Sequence, residues 1–200
     1  MKIAVVTSNK HKLEELSNFL ENEGFSFIQI NPKETDSPQE TGSTFLDNAR
    51  IKSRHYSKIL GIPVISDDSG LMVDSLYGLP GLFSARYSGL GDTINNQKLL
   101  KSLEGKEIRD ARFISIISIA FPDGKTFDYE GIFKGSIAEA PSGNEGFGYD
   151  PIFIPKGEDQ TLASLGSIYK SKNSHRVLAL QKLVEGKDEI INYWRFTWQK

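Results

Sequence analysis

The sequence predicts an α/β protein built on a mixed β-sheet, and three observations carry that prediction. The apolar run Ile3–Val6 is followed by three residues that favour helix N-caps, Thr7-Ser8-Asn9, and then by a helical pattern. A second strand-like run, Phe25–Ile30, completes a strand–helix–strand opening, the mark of an α/β chain. Farther on, the β-rich runs Arg112–Phe121 and Lys125–Ile137 flank Pro122-Asp123-Gly124, and Asp-Gly between such runs signals a hairpin. Two long antiparallel strands beside a strand–helix–strand start make the sheet mixed. The 200 residues fit one domain over 1–200, large enough for two lobes and a sizeable core.

Each element follows from local chemistry. Leu13, Leu16, Phe19 and Leu20 recur at helical spacing, and Gly24 stands where that helix should end. A polar loop with two prolines spans Asn31–Ser43, after which Thr44 caps a helix running to about Leu60. Ile62–Ile65 reads as a buried strand ending in Asp67-Asp68. Gly70–Gly91 is glycine-rich and irregular, with a short strand near Leu71–Val73, and Asn95–Leu103 reads as a helix. A Gly- and aromatic-rich loop, Pro141–Pro155, leads into a strand at Ile152–Ile154. Ser174–Leu183 is a helix, and Asp188–Trp198 a terminal helix or strand.

Composition narrows the functional classes. A net charge of −2 leaves no basic footprint for a nucleic-acid polymer, although a few local cations suffice for a small anion. With no cysteine, disulfides, thiolate catalysis and cysteine-ligated metals are excluded. His11, His55 and His175 lack zinc-site spacing. No stretch approaches the roughly 20 apolar residues of a spanning helix, and the N-terminal run is too short for a signal peptide. A cytoplasmic protein away from membranes is the expectation.

Five stretches carry chemistry. Thr7-Ser8-Asn9-Lys10-His11-Lys12 joins a strand to a helix, where free N–H groups and the helix dipole favour an anion. It lacks the glycines and the GK[ST] ending of a Walker loop. An ordinary cap with a solvated lysine accounts for the same residues. Glu40-Thr41-Gly42-Ser43-Thr44 precedes Asn48 and Lys52, and Thr44, Asn48 and Lys52 share a helical face at four-residue spacing. That face either belongs to a capped helix with a polar outer side, or places a carboxylate, an amide and a cation around one charged ligand.

Asp67-Asp68-Ser69-Gly70 poses a sharper question, since adjacent carboxylates repel and are costly to bury. Strand geometry sends consecutive side chains to opposite faces, so the pair straddles the sheet or sits in a turn. A bound Mg²⁺ would reverse the repulsion, and sheet ligands commonly bind beyond the carboxyl ends of parallel strands. A solvated turn is the competing reading.

In Gly146-Phe147-Gly148-Tyr149-Asp150-Pro151, glycines between aromatics let the backbone approach a flat ligand. Phe147 could stack on a base and Asp150 accept from ring N–H groups; a tight turn with core aromatics also fits. Finally, Lys170 precedes Ser174-His175-Arg176 at a helix start. Cationic groups in a first turn oppose the helix dipole, which favours a ligand-directed role.

The order of these stretches is more specific than any one of them. T-S-N-K-H-K, E-T-G-S-T-F-x-x-N-A-x-x-K, S-D-D-S-G-L, P-G-x-x-S-A-R-Y, G-F-G-Y-D-P-I-F and K-x-x-x-S-H-R together resemble the inosine triphosphate pyrophosphatase family, from Lys2 to about Leu183. The resemblance implies a two-lobed α/β fold around a long mixed sheet flanked by helices, an active-site cleft between the lobes, a homodimer and dependence on Mg²⁺. It implies hydrolysis of ITP, dITP or XTP to the monophosphate and pyrophosphate, which cleanses the nucleotide pool. Carried over by position, Thr7, Ser8, Asn9, Lys10, His11 and Lys12 would cradle the triphosphate. Glu40 and Asp68 would hold the metal, with Asp68 also the general base, Asp67 and Asn48 supporting, and Lys52 reaching phosphate oxygens. Ser69 would touch substrate, while Phe147, Gly148, Tyr149, Asp150, Lys170, His175 and Arg176 would form the base pocket. A local departure is Leu162-Ala163-Ser164-Leu165, where many relatives carry an acidic residue near Ser164.

Hypoxanthine and xanthine offer a 6-oxo acceptor and an N1–H donor, whereas adenine reverses both. A pocket donating from His175 or Arg176 toward O6 would leave polar groups unpaired against adenine. Two rivals remain: a pyrophosphatase of different base selectivity, and a nucleotide-binding or sensing module without turnover. The joint presence of Glu40, Asp68 and Lys12 argues against the latter, because binding alone needs no base beside a metal.

Overall fold

The computed structural model describes residues 2–23, 25–31 and 37–198, with the Trp198 side chain left aside. The expected helix stop at Gly24 and the Pro32 end of the polar loop lie outside the described residues. Six strands, β1 (Lys2–Val6), β2 (Ser26–Ile30), β3 (Val64–Val73), β4 (Asp110–Ala120), β5 (Thr126–Ile137) and β6 (Phe153–Pro155), form one sheet in the order β2-β1-β3-β4-β5-β6. β1 runs parallel to both β2 and β3, and β5 antiparallel to β6, so the sheet is mixed as expected. The helices are α1 (Lys10–Asn22), α2 (Phe45–Leu60), α3 (Asp92–Ser102), α4 (Leu162–Asn173), α5 (His175–Glu185) and α6 (Lys187–Trp198).

The chain divides into two compact units. The first comprises residues 1–68, 115–131 and 178–200. Its strand β1 is buried on both faces, which suits a central parallel strand. Ile3 and Val5 join a core with Leu16 and Leu20 of α1, Ile65, Ile117, Leu180 and Ile190, while Ala4 and Val6 pack with Tyr56 of α2 and Val64. The second unit, residues 69–114 and 132–177, has its own core of Leu71, Val73, Leu99, Leu103, Phe113, Ile137, Ile152 and Phe153.

The capping residues act as their chemistry predicts. The Asn9 side chain accepts from the Lys12 N–H, and Thr44 forms a reciprocal capping box with Asp47. Gly61 ends α2 in the left-handed region, at φ 65°. The hairpin turns at Pro122-Asp123-Gly124, closed by the Phe121 N–H on the Lys125 carbonyl.

The structure corrects the reading of β3, settles the open choice at the terminal segment and adds a helix. The strand at Ile62–Ile65 does not stop before the aspartates; β3 carries Asp67 and Asp68 in its middle and absorbs the separate strand at Leu71–Val73. Strand pairing prevails there because each buried polar side chain has partners. The terminal segment is helical, as α6. The helix α4 has no counterpart in the sequence reading, because Gly166 interrupts it with φ 85° and breaks the periodicity. Its second piece starts with the Ser167 N–H donating to Glu145 Oε2 at 2.7 Å, a partner 22 residues earlier.

Candidate active site

The first unit gathers five charged side chains at β3: Lys12, Glu40, Lys52, Asp67 and Asp68. Asp67 and Asp68 are consecutive, so the pleat sends them to opposite faces and to different partners. Asp67 lies 2.6 Å from the Lys12 ammonium, and its other oxygen accepts from the Ser115 hydroxyl on β4. Asp68 Oδ1 stands 2.9 Å from Lys52 Nζ, and Glu40 Oε1 stands 3.2 Å from the same ammonium. The straddling arrangement therefore holds, and the solvated turn does not: Asp67 is 5% and Asp68 9% exposed.

Burial pushes the Asp68 carboxyl above the usual carboxylate range, with the Lys52 charge opposing and Glu40 adding to the rise. At Lys52 burial disfavours the charge, but Asp68 and Glu40 outweigh it and hold the ammonium above its ordinary value.

α2 positions this group. Asn48 is buried and its Oδ1 accepts the Gly42 N–H at 2.8 Å, tying the loop that bears Glu40 to the helix that bears Lys52. A Cβ at Gly42 would come 2.7 Å from that amide oxygen, so the close approach needs glycine. The shared face of Asn48 and Lys52 is thus turned inward rather than outward. Thr44 spends its hydroxyl on the helix cap.

At the start of α1, Thr7 Oγ1 accepts the Asn9 N–H at 3.1 Å, while Ser8, Lys10 and His11 are exposed. The structure thus brings Lys12 to Asp67 and leaves those three at the helix entrance.

The two carboxylates converging on one cation supply a hard, all-oxygen donor set. Mg²⁺ is ordinarily held by one or two carboxylates, with phosphate oxygens and water completing its shell. Among the described residues no group of three or more His, Asp or Glu side chains could hold a metal. Glu40 and Asp68 offer oxygen ligands of the kind a hard divalent cation takes, and two carboxylates leave the rest of its shell to other oxygens.

The second unit holds a different cluster. Asp150 Oδ2 accepts from Lys170 Nζ at 2.6 Å and from the Phe147 N–H at 2.9 Å, and both partners of the ion pair are buried. The same ammonium lies 3.7 Å from the centroid of the Phe147 ring. His175 stacks on Phe113 with centroids 4.9 Å apart, and Arg176, 1% exposed, donates to Ser69 Oγ at 3.2 Å. Ser174 caps α5 by accepting the Val177 N–H. Tyr149 belongs to the core, with its hydroxyl donating to the Ser84 carbonyl at 2.8 Å; burial, then Tyr87 and Asp92, pushes its phenol far upward.

Sequence reasoning passed over Ser115, Asp92 and Asn96. The signal for Ser115 in the sequence is a hydroxyl set within the apolar run Phe113–Ala120, which the structure buries fully. Asn96 reads from the sequence as an ordinary residue of the helix expected over Asn95–Leu103, and Asp92 falls before that helix, whereas α3 begins at Asp92.

Comparison with known proteins bears on the family and the fold. A sequence model of the Ham1 family matches residues 3–186. The dITP/XTP pyrophosphatase of Acholeplasma laidlawii is 49% identical over 203 residues, covering all of both chains. That of Bacillus licheniformis is 47% identical over 91% of this chain and 95% of its own. The solved structure of the Staphylococcus aureus Ham1 protein superimposes with a TM-score of 0.84 at 37% identity, covering 95% of this chain and 100% of that one. A match along nearly the whole chain, in sequence and in fold, places it: the chain belongs to the Ham1 family.

Proposed function

We propose that this protein hydrolyses the non-canonical purine nucleoside triphosphates ITP, dITP and XTP to the monophosphate and pyrophosphate, clearing them from the nucleotide pool. The observation that carries the proposal is the convergence of Glu40 and Asp68 on Lys52, with Lys12 held at Asp67 one residue away. The names of the relatives supply the substrate class.

Water attacks the α-phosphorus in line. The new P–O bond forms as the bond from the α-phosphorus to the α,β-bridging oxygen breaks, and pyrophosphate leaves with that oxygen. Asp68, whose burial raises its proton affinity, takes the water proton. Lys12 and Lys52 neutralise charge growing on the phosphate oxygens, while the hydroxyl, amide and N–H groups from Thr7 to Lys12 bind the chain of phosphates. Asp67 acts by holding Lys12 and is itself held by Ser115. Mg²⁺, held by Glu40 and Asp68, would supply charge neutralisation and orientation at the phosphates.

Base recognition falls to the second unit. Phe147 offers a face for stacking, Asp150 and Lys170 a paired acceptor and donor, and His175, Arg176 and Ser69 further polar contacts, with Gly148 and Tyr149 shaping the loop. Donation toward O6 favours hypoxanthine and xanthine over adenine, whose 6-amino group cannot accept. The same reading makes residues 1–200 one pyrophosphatase domain that works as a homodimer in the cytoplasm, where nucleoside triphosphates are made and consumed. No helix among the described residues is long and apolar enough to cross a membrane.

Pyrophosphate release from ITP, dITP, XTP, GTP and ATP, with and without Mg²⁺, tests the proposal. Mg²⁺-dependent release from the first three, with ATP poorly used, is expected. No release from any of them would leave a binding module, and equal use of ATP would refute the selectivity.

A further inference from the structure

Both backbone polar groups of Gly148 are held by one helix. Its N–H donates to Asp92 Oδ2 at 2.8 Å, and its carbonyl accepts from Asn96 Nδ2 at 3.0 Å. Asp92 and Asn96 are four residues apart on α3 and share a face. Only the nitrogen of an amide can donate to a carbonyl, so this contact sets which way the Asn96 amide faces. Gly148 has φ +63°, a left-handed conformation that glycine adopts without a Cβ penalty.

The fixed peptide planes lie between Phe147, whose ring meets Lys170, and Asp150, whose carboxylate binds Lys170 and the Phe147 N–H. A second route joins α3 to the same loop. Asn95, buried beside Asn96, donates to the Ser84 carbonyl at 3.4 Å, the acceptor that also takes the Tyr149 hydroxyl.

We infer that α3 is a clamp for base selectivity: Asp92 and Asn96, acting through Gly148, position Phe147 and Asp150 to discriminate the 6-oxo purine. The inference rests on the function proposed above and adds two positioning residues to it. Asp92 and Asn96 act on the loop, so their loss should alter recognition of the base and spare the handling of phosphates.

The test uses the full chain with Asp92→Ala, Asp92→Asn and Asn96→Ser. Losing a charge-assisted bond should raise KM for ITP about tenfold. kcat should stay within about twofold, and the preference for ITP over ATP in kcat/KM should shrink. Gly148 amide exchange should quicken in Asp92→Ala, and Asp92→Asn, which keeps an acceptor, should restore most of both properties. Inhibition by inorganic tripolyphosphate, which has no base, should be unchanged. Asn96→Ser breaks the clamp at the carbonyl side and must show the same rise in KM even if Asp92→Ala does not fold. Wild-type KM and selectivity in Asn96→Ser, or a parallel loss of tripolyphosphate inhibition, would overturn the clamp. A wild-type protein that releases no pyrophosphate from any triphosphate defeats the functional reading and the clamp with it, a result visible before any variant is made.

Discussion

Lys12 Nζ stands 2.6 Å from Asp67 Oδ2, and the Asp67 side chain has no exposed surface. A carboxylate so buried tolerates its charge only through its partners, which here are the Lys12 ammonium and the Ser115 hydroxyl. The first of the two adjacent aspartates is therefore tied into the fold, and the proposed function gives the chemistry to the second, which pairs with Lys52.

Removing Asp67 should unsettle the first unit. Asp67→Ala leaves the mostly buried Lys12 without its carboxylate and should lower stability by about 3 kcal/mol. Ser115→Ala removes one donor and should cost about 1.5 kcal/mol. Urea denaturation measures both, and equal stability of all three proteins would contradict a structural role for the pair.

Asp68→Asn should separate chemistry from folding. The amide preserves shape, so the denaturation midpoint should shift little, while kcat on ITP should fall by about 10²-fold or more with the base removed. Single-turnover kinetics at saturating ITP reads this directly. Near-normal turnover would strip Asp68 of the role of base.

Gly146 should resist substitution. Its φ is +82°, and a Cβ there would lie 2.1 Å from Asp150 Oδ2, the atom that binds Lys170. Gly146→Ala should cost about 2 kcal/mol through backbone strain. It should also weaken ITP binding by displacing Asp150, and calorimetric titration alongside thermal melting would show both effects. A variant with native stability and affinity would mean the loop relaxes freely.

Tyr129 should make the fold sensitive to strong base. Burial, then the charges of Glu189 and Asp128, pushes its phenol up to about 12 from an ordinary 10. The folded state therefore binds the phenolic proton more tightly, and its contribution is complete below pH 10 and lost as pH rises toward 12. Thermal melts across that interval should fall more steeply for the wild type than for Tyr129→Phe. Parallel curves would show that the residue titrates normally.

Much of the fold was legible because local signals agreed with it. The caps at Asn9 and Thr44, the spacing of Leu16 and Leu20, and the Asp-Gly turn at 123–124 are short-range features set by backbone hydrogen bonding. α4 escaped because Gly166 breaks its periodicity and Glu145, remote in sequence, starts its second piece. Asp67 and Asp68 looked like a strand terminus because two charges ordinarily end one; burial with paired partners overrides that tendency.

By itself the sequence determined the mixed α/β sheet, the starts of α1, α2 and α5 and the residue types able to handle phosphate and a flat base, since capping, periodicity and side-chain chemistry are local properties. The tertiary structure alone decided that Asp67 turns to Lys12 and Ser115 while Asp68 turns to Lys52, and that Asp92 and Asn96 hold Gly148. The physical reason is that the pleat sends neighbouring side chains apart, and their partners come from elements 16 to 56 residues away that only folding brings within a hydrogen bond.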